Sequence, residues 1–262
     1  NISLMKIKLS KYFKKKTIPD YGKKFNSYKK AKNYSDSIGE YFDNRFTKFE
    51  GPEKIKLIDR FYIASFLPSI VKRKKPVVID IGGGPNPIYS YIKKATNITV
   101  KCFVLDTKKL VNIIKNKLPK KFKSYVKYIS SLDEIKFKNV DIVYFNSSLQ
   151  YLEHYEQMIK KLTKFQPKYI LISYTPFNKR NKNYYSIQYG VPGSIHPIIF
   201  FSPKKLIKLM KKMKYNNIYK NNYRITSKND SFYYGDLLFT KMWNYFVFSS
   251  KILKKFSKWD WK

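Results

Sequence analysis

The stretch Val77–Ile92, VVIDIGGGPNPIYSYI, decides the fold of this chain. Val77 to Ile81 is a short apolar, β-branched run with no polar face, the pattern of a strand buried on both sides. Gly82, Gly83 and Gly84 follow, and without side chains they allow a tight turn and a close approach to bare backbone. Asn86 is then a suitable N-cap, and Pro87 a suitable first helical residue. The stretch predicts strand, glycine turn and helix N-terminus, where a ligand can lie against backbone beside the positive end of a helix.

Outward from this turn, strand and helix patterns alternate. Residues 99–105, 125–129, 140–145 and 169–172 read as further strands, with helices over 108–118 and 152–162. Such alternation implies a parallel sheet wound by right-handed crossovers. Residues 218–225 and 232–240 read as a closing antiparallel hairpin on the far side, after a helix opened by Ser202-Pro203. Ligands in such sheets bind at the carboxyl ends of the strands. That rule gathers Gly82–Gly84, Asp106, Ser130–Leu132, Asn146–Tyr151 and Tyr174–Phe177 around one crevice.

In a dinucleotide fingerprint a third glycine lets the helix pack close to the sheet. Here the third position is Pro87, so that pattern fails. Asp80 stands two residues before the first glycine, and Asp106 ends the next strand, where an acidic residue holds ribose hydroxyls. D-x-G-G-G with an acidic second strand end resembles the S-adenosylmethionine site of class I methyltransferases. A nicotinamide site and a glycine turn that binds nothing are the competing readings.

The 262 residues support one large domain with additions. The reading divides them into a basic and aromatic helical extension and lid over 1–52, a catalytic domain over 53–242, and a basic amphipathic helix over 243–262. With 43% hydrophobic residues the chain is globular rather than disordered. It has no uninterrupted apolar run long enough to span a bilayer and no cleavable signal pattern at its start. The single cysteine, Cys102, excludes an intramolecular disulfide and agrees with a reducing cytoplasm. Metal chemistry is not expected, because neither His154 nor His196 has a partner at ligand spacing.

The formal net charge is +38, and lysine supplies 50 of the 55 basic residues. Three sources compete: compositional drift, an anionic membrane surface and nucleic acid. Arginine is preferred for bidentate phosphate or guanine contacts, so the lysine excess weighs against nucleic acid. Residues 1–16 and 243–262 carry apolar stripes facing lysines and suit helices lying on an anionic leaflet. The expected location is cytoplasmic, with a peripheral position on the inner membrane face open.

Four stretches in order carry a more specific resemblance: Phe25–Ala31, Ile79–Gly84, Ser147–Leu152, and Tyr174–Phe177 followed by Val191–Ser194. They are similar to a family of class I S-adenosylmethionine-dependent methyltransferases encoded in bacterial surface-polysaccharide gene clusters. The resemblance spans roughly residues 20–240. Tyr28 stands where that family often has tryptophan, and Pro85 and Pro87 depart from its pattern after the glycines. It implies a Rossmann-like sheet of seven strands, five parallel plus the antiparallel hairpin, with helices on both faces. It further implies O-methylation of a sugar or lipid-linked glycan precursor. By position, Asp80, Gly82, Gly83 and Gly84 would line the methionine portion of the cofactor and Asp106 the ribose. Ser131 and Leu132 would lie by the adenine, and Asn146, Ser148 and Gln150 would flank the methyl donor.

Methyl transfer requires alignment of the acceptor with the methyl group, and an alcohol acceptor benefits from a general base. His196, in a polar insertion after the fifth strand, is the candidate base. Tyr174 and Tyr151 are candidates for positioning the acceptor, and His154 reads as a surface residue. The alternative function is a non-catalytic methyltransferase-like protein that binds membrane or nucleic acid through its charge.

Overall fold

The computed structural model describes residues 20–38, 49, 51–55, 62–136, 139–189, 195–223 and 232–241. The readings for 1–16, 191–194 and 243–262 therefore lie outside the described residues. The strands are β1 (Asp20–Tyr21), β2 (Val77–Ile81), β3 (Lys101–Leu105), β4 (Val126–Ile129), β5 (Ile142–Asn146), β6 (Tyr169–Asn178), β7 (Tyr184–Tyr189), β8 (Ile195–Phe200), β9 (Tyr215–Tyr223) and β10 (Phe232–Lys241). The helices are α1 (Tyr28–Ile38), α2 (Tyr62–Phe66), α3 (Ile88–Thr96), α4 (Lys108–Lys117), α5 (Tyr155–Thr163) and α6 (Pro203–Lys212).

Seven strands form one sheet in the order β4-β3-β2-β5-β6-β10-β9. The first five pair in parallel, and β10 runs antiparallel between β6 and β9. The expected five-plus-hairpin sheet is what forms. Successive residues of β2 bury opposite faces: Val78 joins a core with α2, α3 and α4, while Val77 and Ile79 join one with α5 and α6. Both faces are thus covered, which is why this strand needs no polar side. The chain leaves β2 toward β3 and β4, then returns to β5 on the other flank. That reversal opens a crevice at the carboxyl ends of β2 and β5.

Three sequence readings change. The fifth strand continues past Ile172 to Asn178 and includes Pro176. β5 pairs with β6 only as far as Ser173, so Pro176 has no ladder partner to deprive on that side. The polar insertion after this strand is not a loop. It folds as the hairpin β7–β8, to which β1 adds a third strand. Finally, Asn86 does not cap α3: Pro87 occupies the cap position without a side-chain bond, and the Ile88 amide donates to Asp80 Oδ2 at 2.7 Å. A carboxylate held rigidly by the strand takes the cap from a loop residue.

The small sheet β1-β7-β8, backed by α1, forms a roof. β8 packs on the turn Leu149–Tyr151 and bridges β6 through Phe177 and Phe201. Among the described residues, no helix is long and apolar enough to cross a membrane.

Candidate functional site

The glycine turn is shaped by what lies beneath it. Gly82 and Gly84 adopt left-handed backbone at φ 68° and 57°, a region costly for residues with a Cβ. A Cβ on Gly83 would stand 2.2 Å from Asp80 Oδ2, and one on Gly82 2.7 Å from Ser148 Cβ. A Cβ on Gly84 would meet nothing within 4 Å, so this backbone faces open space. The Gly84 amide donates to Asp106 Oδ2 at 3.1 Å, and the Thr107 amide to Oδ1 at 2.7 Å. Tyr128, buried beneath, donates its hydroxyl to the Gly84 carbonyl at 2.9 Å. The turn and the end of β3 are therefore one hydrogen-bonded unit.

Asp80 is buried, with its carboxyl pushed up to about 7. Desolvation is the main cause and the nearby Asp106 charge adds to it, while the Ile88 amide opposes. Burial also raises Asp106, against the Thr107 and Gly84 amides. Ser131 caps the turn Leu132–Glu134, accepting from the Asp133 amide at 3.2 Å, and Leu132 is buried. The backbone amides of Ser130 and Ser131 hold Glu134 below the usual carboxylate range.

Several buried side-chain oxygens have no hydrogen-bond partner: Asp80 Oδ1, Asn86 Oδ1, Asn146 Oδ1, Ser148 Oγ and Gln150 Oε1, with Ser65 Oγ on α2. Buried polar atoms are normally satisfied, and each exception calls for an explanation. All but the last belong to the end of β2, the loop from the glycine turn into α3, the end of β5 or the turn that follows. The Ser147 amide bonds the Ser173 carbonyl at 2.9 Å, tying that turn to β6.

Tyr174, on β6, and His196, on the roof strand β8, do not lie on the glycine turn. Tyr174 has φ 47°, in a bulge where Ser173 and Tyr174 together oppose Asp236. Asp236 Oδ1 accepts from the Ser173 hydroxyl at 2.8 Å and the Tyr174 amide at 2.9 Å. Bulges of this kind re-aim a side chain; here the Tyr174 ring stacks on Tyr234 at 4.6 Å. Tyr234 in turn shares a short hydroxyl–hydroxyl hydrogen bond with Tyr21. Burial first, then the neighbouring Tyr234, pushes the Tyr21 hydroxyl far above its ordinary range. His196, half-buried on β8, sits edge-on to Tyr151 at 5.8 Å. The Tyr151 hydroxyl donates to Gln188 Oε1 at 2.6 Å, and Tyr28 donates to the Tyr151 carbonyl at 2.7 Å. His154, at the start of α5, is exposed as expected.

Asp236, Gln188, Tyr21, Tyr128 and Tyr234 are parts of this site that the sequence reading missed. A carboxylate between Gly235 and Leu237, in an otherwise apolar strand, was a usable signal; the others have none. A cavity of about 550 Å³ opens between α1 and Tyr151–Met158, lined by Tyr28, Lys32, Tyr151, Leu152 and His154. It borders the roof, and the glycine turn contributes no wall to it. The unsatisfied oxygens lie at the crevice and not in this volume.

No protein-family model matches the sequence, and no curated protein matches it either. Solved structures do. The methyltransferase CcbJ from Streptomyces caelestis superimposes with a TM-score of 0.50 at 10% identity, over 78% of this chain and 97% of that one. The fold is that of the class I methyltransferases. LepI, solved in complex with S-adenosylmethionine, gives a TM-score of 0.50 at 12% identity over 72% of this chain and 48% of its own. Within the methyltransferase fold, the glycine turn after β2 lies at the topological switch point where such sheets bind ligands.

Proposed function

We propose that this protein binds S-adenosylmethionine in the crevice at β2 and β5 and methylates a hydroxyl of a sugar, free or on a carrier. The observation that carries the reading is the group of unsatisfied buried oxygens beside Gly82–Gly84. A ligand rich in donors relieves that cost, and the open backbone at Gly84 leaves room for it. The fold's neighbour with bound S-adenosylmethionine supports the same choice.

The donor set fits the cofactor. Asp106 spends one hydrogen bond per oxygen on backbone amides, and a carboxylate has about four acceptor sites, so it can still hold a ribose diol. Asp80, Asn146, Ser148 and Gln150 offer acceptors to the cationic methionine end. Ser131 and Leu132 bound the adenine side. When bound, S-adenosylmethionine supplies an electrophilic methyl on a positively charged sulfur.

This chain's own work is alignment and proton transfer. Tyr174 and Tyr151 provide flat faces and hydroxyls that suit a sugar ring. His196 accepts the proton that the acceptor hydroxyl releases. The roof excludes water, which strengthens each of these interactions.

Calorimetry with S-adenosylmethionine, on wild type and Asp80→Ala, tests the cofactor. Micromolar-scale binding that the substitution abolishes is expected; a folded wild type that binds none refutes the reading. With a turnover assay on sugar acceptors, His196→Ala should lower kcat by about a hundredfold or more while cofactor binding stays unchanged. Unchanged turnover at every pH removes His196 from the base role.

A further inference from the structure

The two ends of the large sheet differ in chemistry. The carboxyl ends carry the glycine turn, Asp106, Ser131, Asn146 and Ser148. At the other end, Lys75 precedes β2, Lys101 opens β3, Lys123 leads into β4, Lys168 precedes β6, Lys214 precedes β9 and Lys241 closes the antiparallel β10. Strands lie roughly 4.8 Å apart, so these lysines form a row about 30 Å long. The helices run back toward this end, and the last turns of α3, α4, α5 and α6 each carry two lysines. The loop Lys72–Lys75 adds four exposed basic residues.

Among the described residues, the acidic side chains at this end are Asp141 and Glu53. Asp141 is buried and pairs with Arg73 at 3.1 Å and Lys168 at 3.0 Å. Glu53 pairs with Lys121 at 3.4 Å. The remaining described carboxylates lie toward the crevice or the roof.

Lysines also stand at the crevice end, among them Lys108 and Lys109 at the start of α4; what distinguishes the two ends is the placing of the carboxylates, which compositional drift toward lysine does not sort. Lysines in the last turn of a helix offset its dipole. Strands have almost no net dipole to offset, so the row at the strand ends has no such local cause.

We propose that this end of the sheet docks on an anionic lipid leaflet, leaving the crevice facing water. Lipid fits better than nucleic acid for two reasons. The charge is carried by lysine, which lacks the planar fork that reads phosphates and bases. No described aromatic side chain is exposed there to stack on a base.

The test is flotation of the full chain, at physiological salt, with phosphatidylcholine vesicles containing or lacking phosphatidylglycerol. The variant Lys72→Gln/Lys74→Gln/Lys75→Gln removes three charges from the row's centre. The control Lys179→Gln/Arg180→Gln/Lys182→Gln removes three from the opposite end. Each lysine near an anionic surface contributes about fivefold, so the first variant should bind about a hundredfold more weakly and the control within a few-fold of wild type. Should the first variant misfold by circular dichroism, Lys123→Gln/Lys214→Gln replaces it, with about a 25-fold loss expected. No wild-type binding to the anionic vesicles overturns the proposal, as does an equal loss in variant and control. Full retention by the first variant also overturns it, since contact then runs through other parts of the chain. Tighter binding of duplex RNA or DNA, lost in the same variant, assigns the surface to nucleic acid instead.

Discussion

Replacing Asp80 by asparagine is expected to remove this residue's share of the pH dependence of the fold's stability. The buried carboxyl titrates near 7 in the native protein against an ordinary value of 3.8. Between those values the native state holds a proton that the unfolded chain has released. Unfolding free energy from this group is thus fully present below 3.8, falls as pH rises, and levels off above about 7. The full span of about three pKa steps corresponds to about 4 kcal/mol, at about 1.4 per step. Water penetration and relaxation lower that ceiling to about 2–4 kcal/mol. Asparagine keeps an oxygen for the Ile88 amide and cannot ionise. At pH 8 the variant should be more stable by that amount, and at pH 4 the two proteins should agree within about 1 kcal/mol. Urea unfolding followed by circular dichroism reads the difference directly. Other carboxylates titrate in both proteins and cancel. Parallel pH profiles for the two would refute the argument, because they would mean that Asp80 is not paying a desolvation penalty. Under the proposed function, wild-type binding of S-adenosylmethionine should tighten between pH 6 and 8, whereas the asparagine variant stays weak throughout.

Two further expectations follow from the same geometry. Gly84→Ala places a methyl in open space on left-handed backbone and should cost about 1–2 kcal/mol. Gly83→Ala drives a Cβ into the Asp80 carboxylate, breaks the cap of α3 and should cost about 3 kcal/mol; urea melts of the two should rank them in that order. Asp236→Ala strips buried partners from the Ser173 hydroxyl and Tyr174 amide, and should cost about 3 kcal/mol. A loss within about 1 kcal/mol of zero would mean that the bulge holds itself.

Much of this architecture was legible because burial and backbone geometry leave local marks. Val77–Ile81 had no polar face because both faces are covered, and the three glycines announced a turn that needs left-handed backbone at Gly82 and Gly84 and has no room for a Cβ at Gly82 and Gly83. The alternation of elements gave the parallel sheet, and the carboxyl ends of its strands the crevice; the switch point itself comes only from the strand order. What stayed hidden depends on residues far apart in the chain. Asp80 reaches eight residues forward to cap α3, and no local rule ranks it above Asn86. The hairpin β7–β8 was masked by the polar run Lys179–Asn183 before it, although Tyr184–Tyr189 and Ile195–Phe200 are themselves strand-like. His196 was correctly singled out as lying beyond the fifth strand, but its strand setting comes only from pairing with Gln188. The tyrosine pair under the roof has no sequence signal at all.

That pair has a consequence for how the protein is made. Tyr21 and Tyr234 stand 213 residues apart, and Phe232 packs edge-on against Tyr21 as well. On the ribosome, β2 to β6 and their helices emerge with every group of the glycine turn already in sequence. The roof strands β1, β7 and β8 pair among themselves, but Tyr21 gains its partners Phe232 and Tyr234 only once β10 has emerged. A nascent chain therefore completes the glycine turn and its crevice before it can make the tyrosine contacts that fasten β1 to the large sheet.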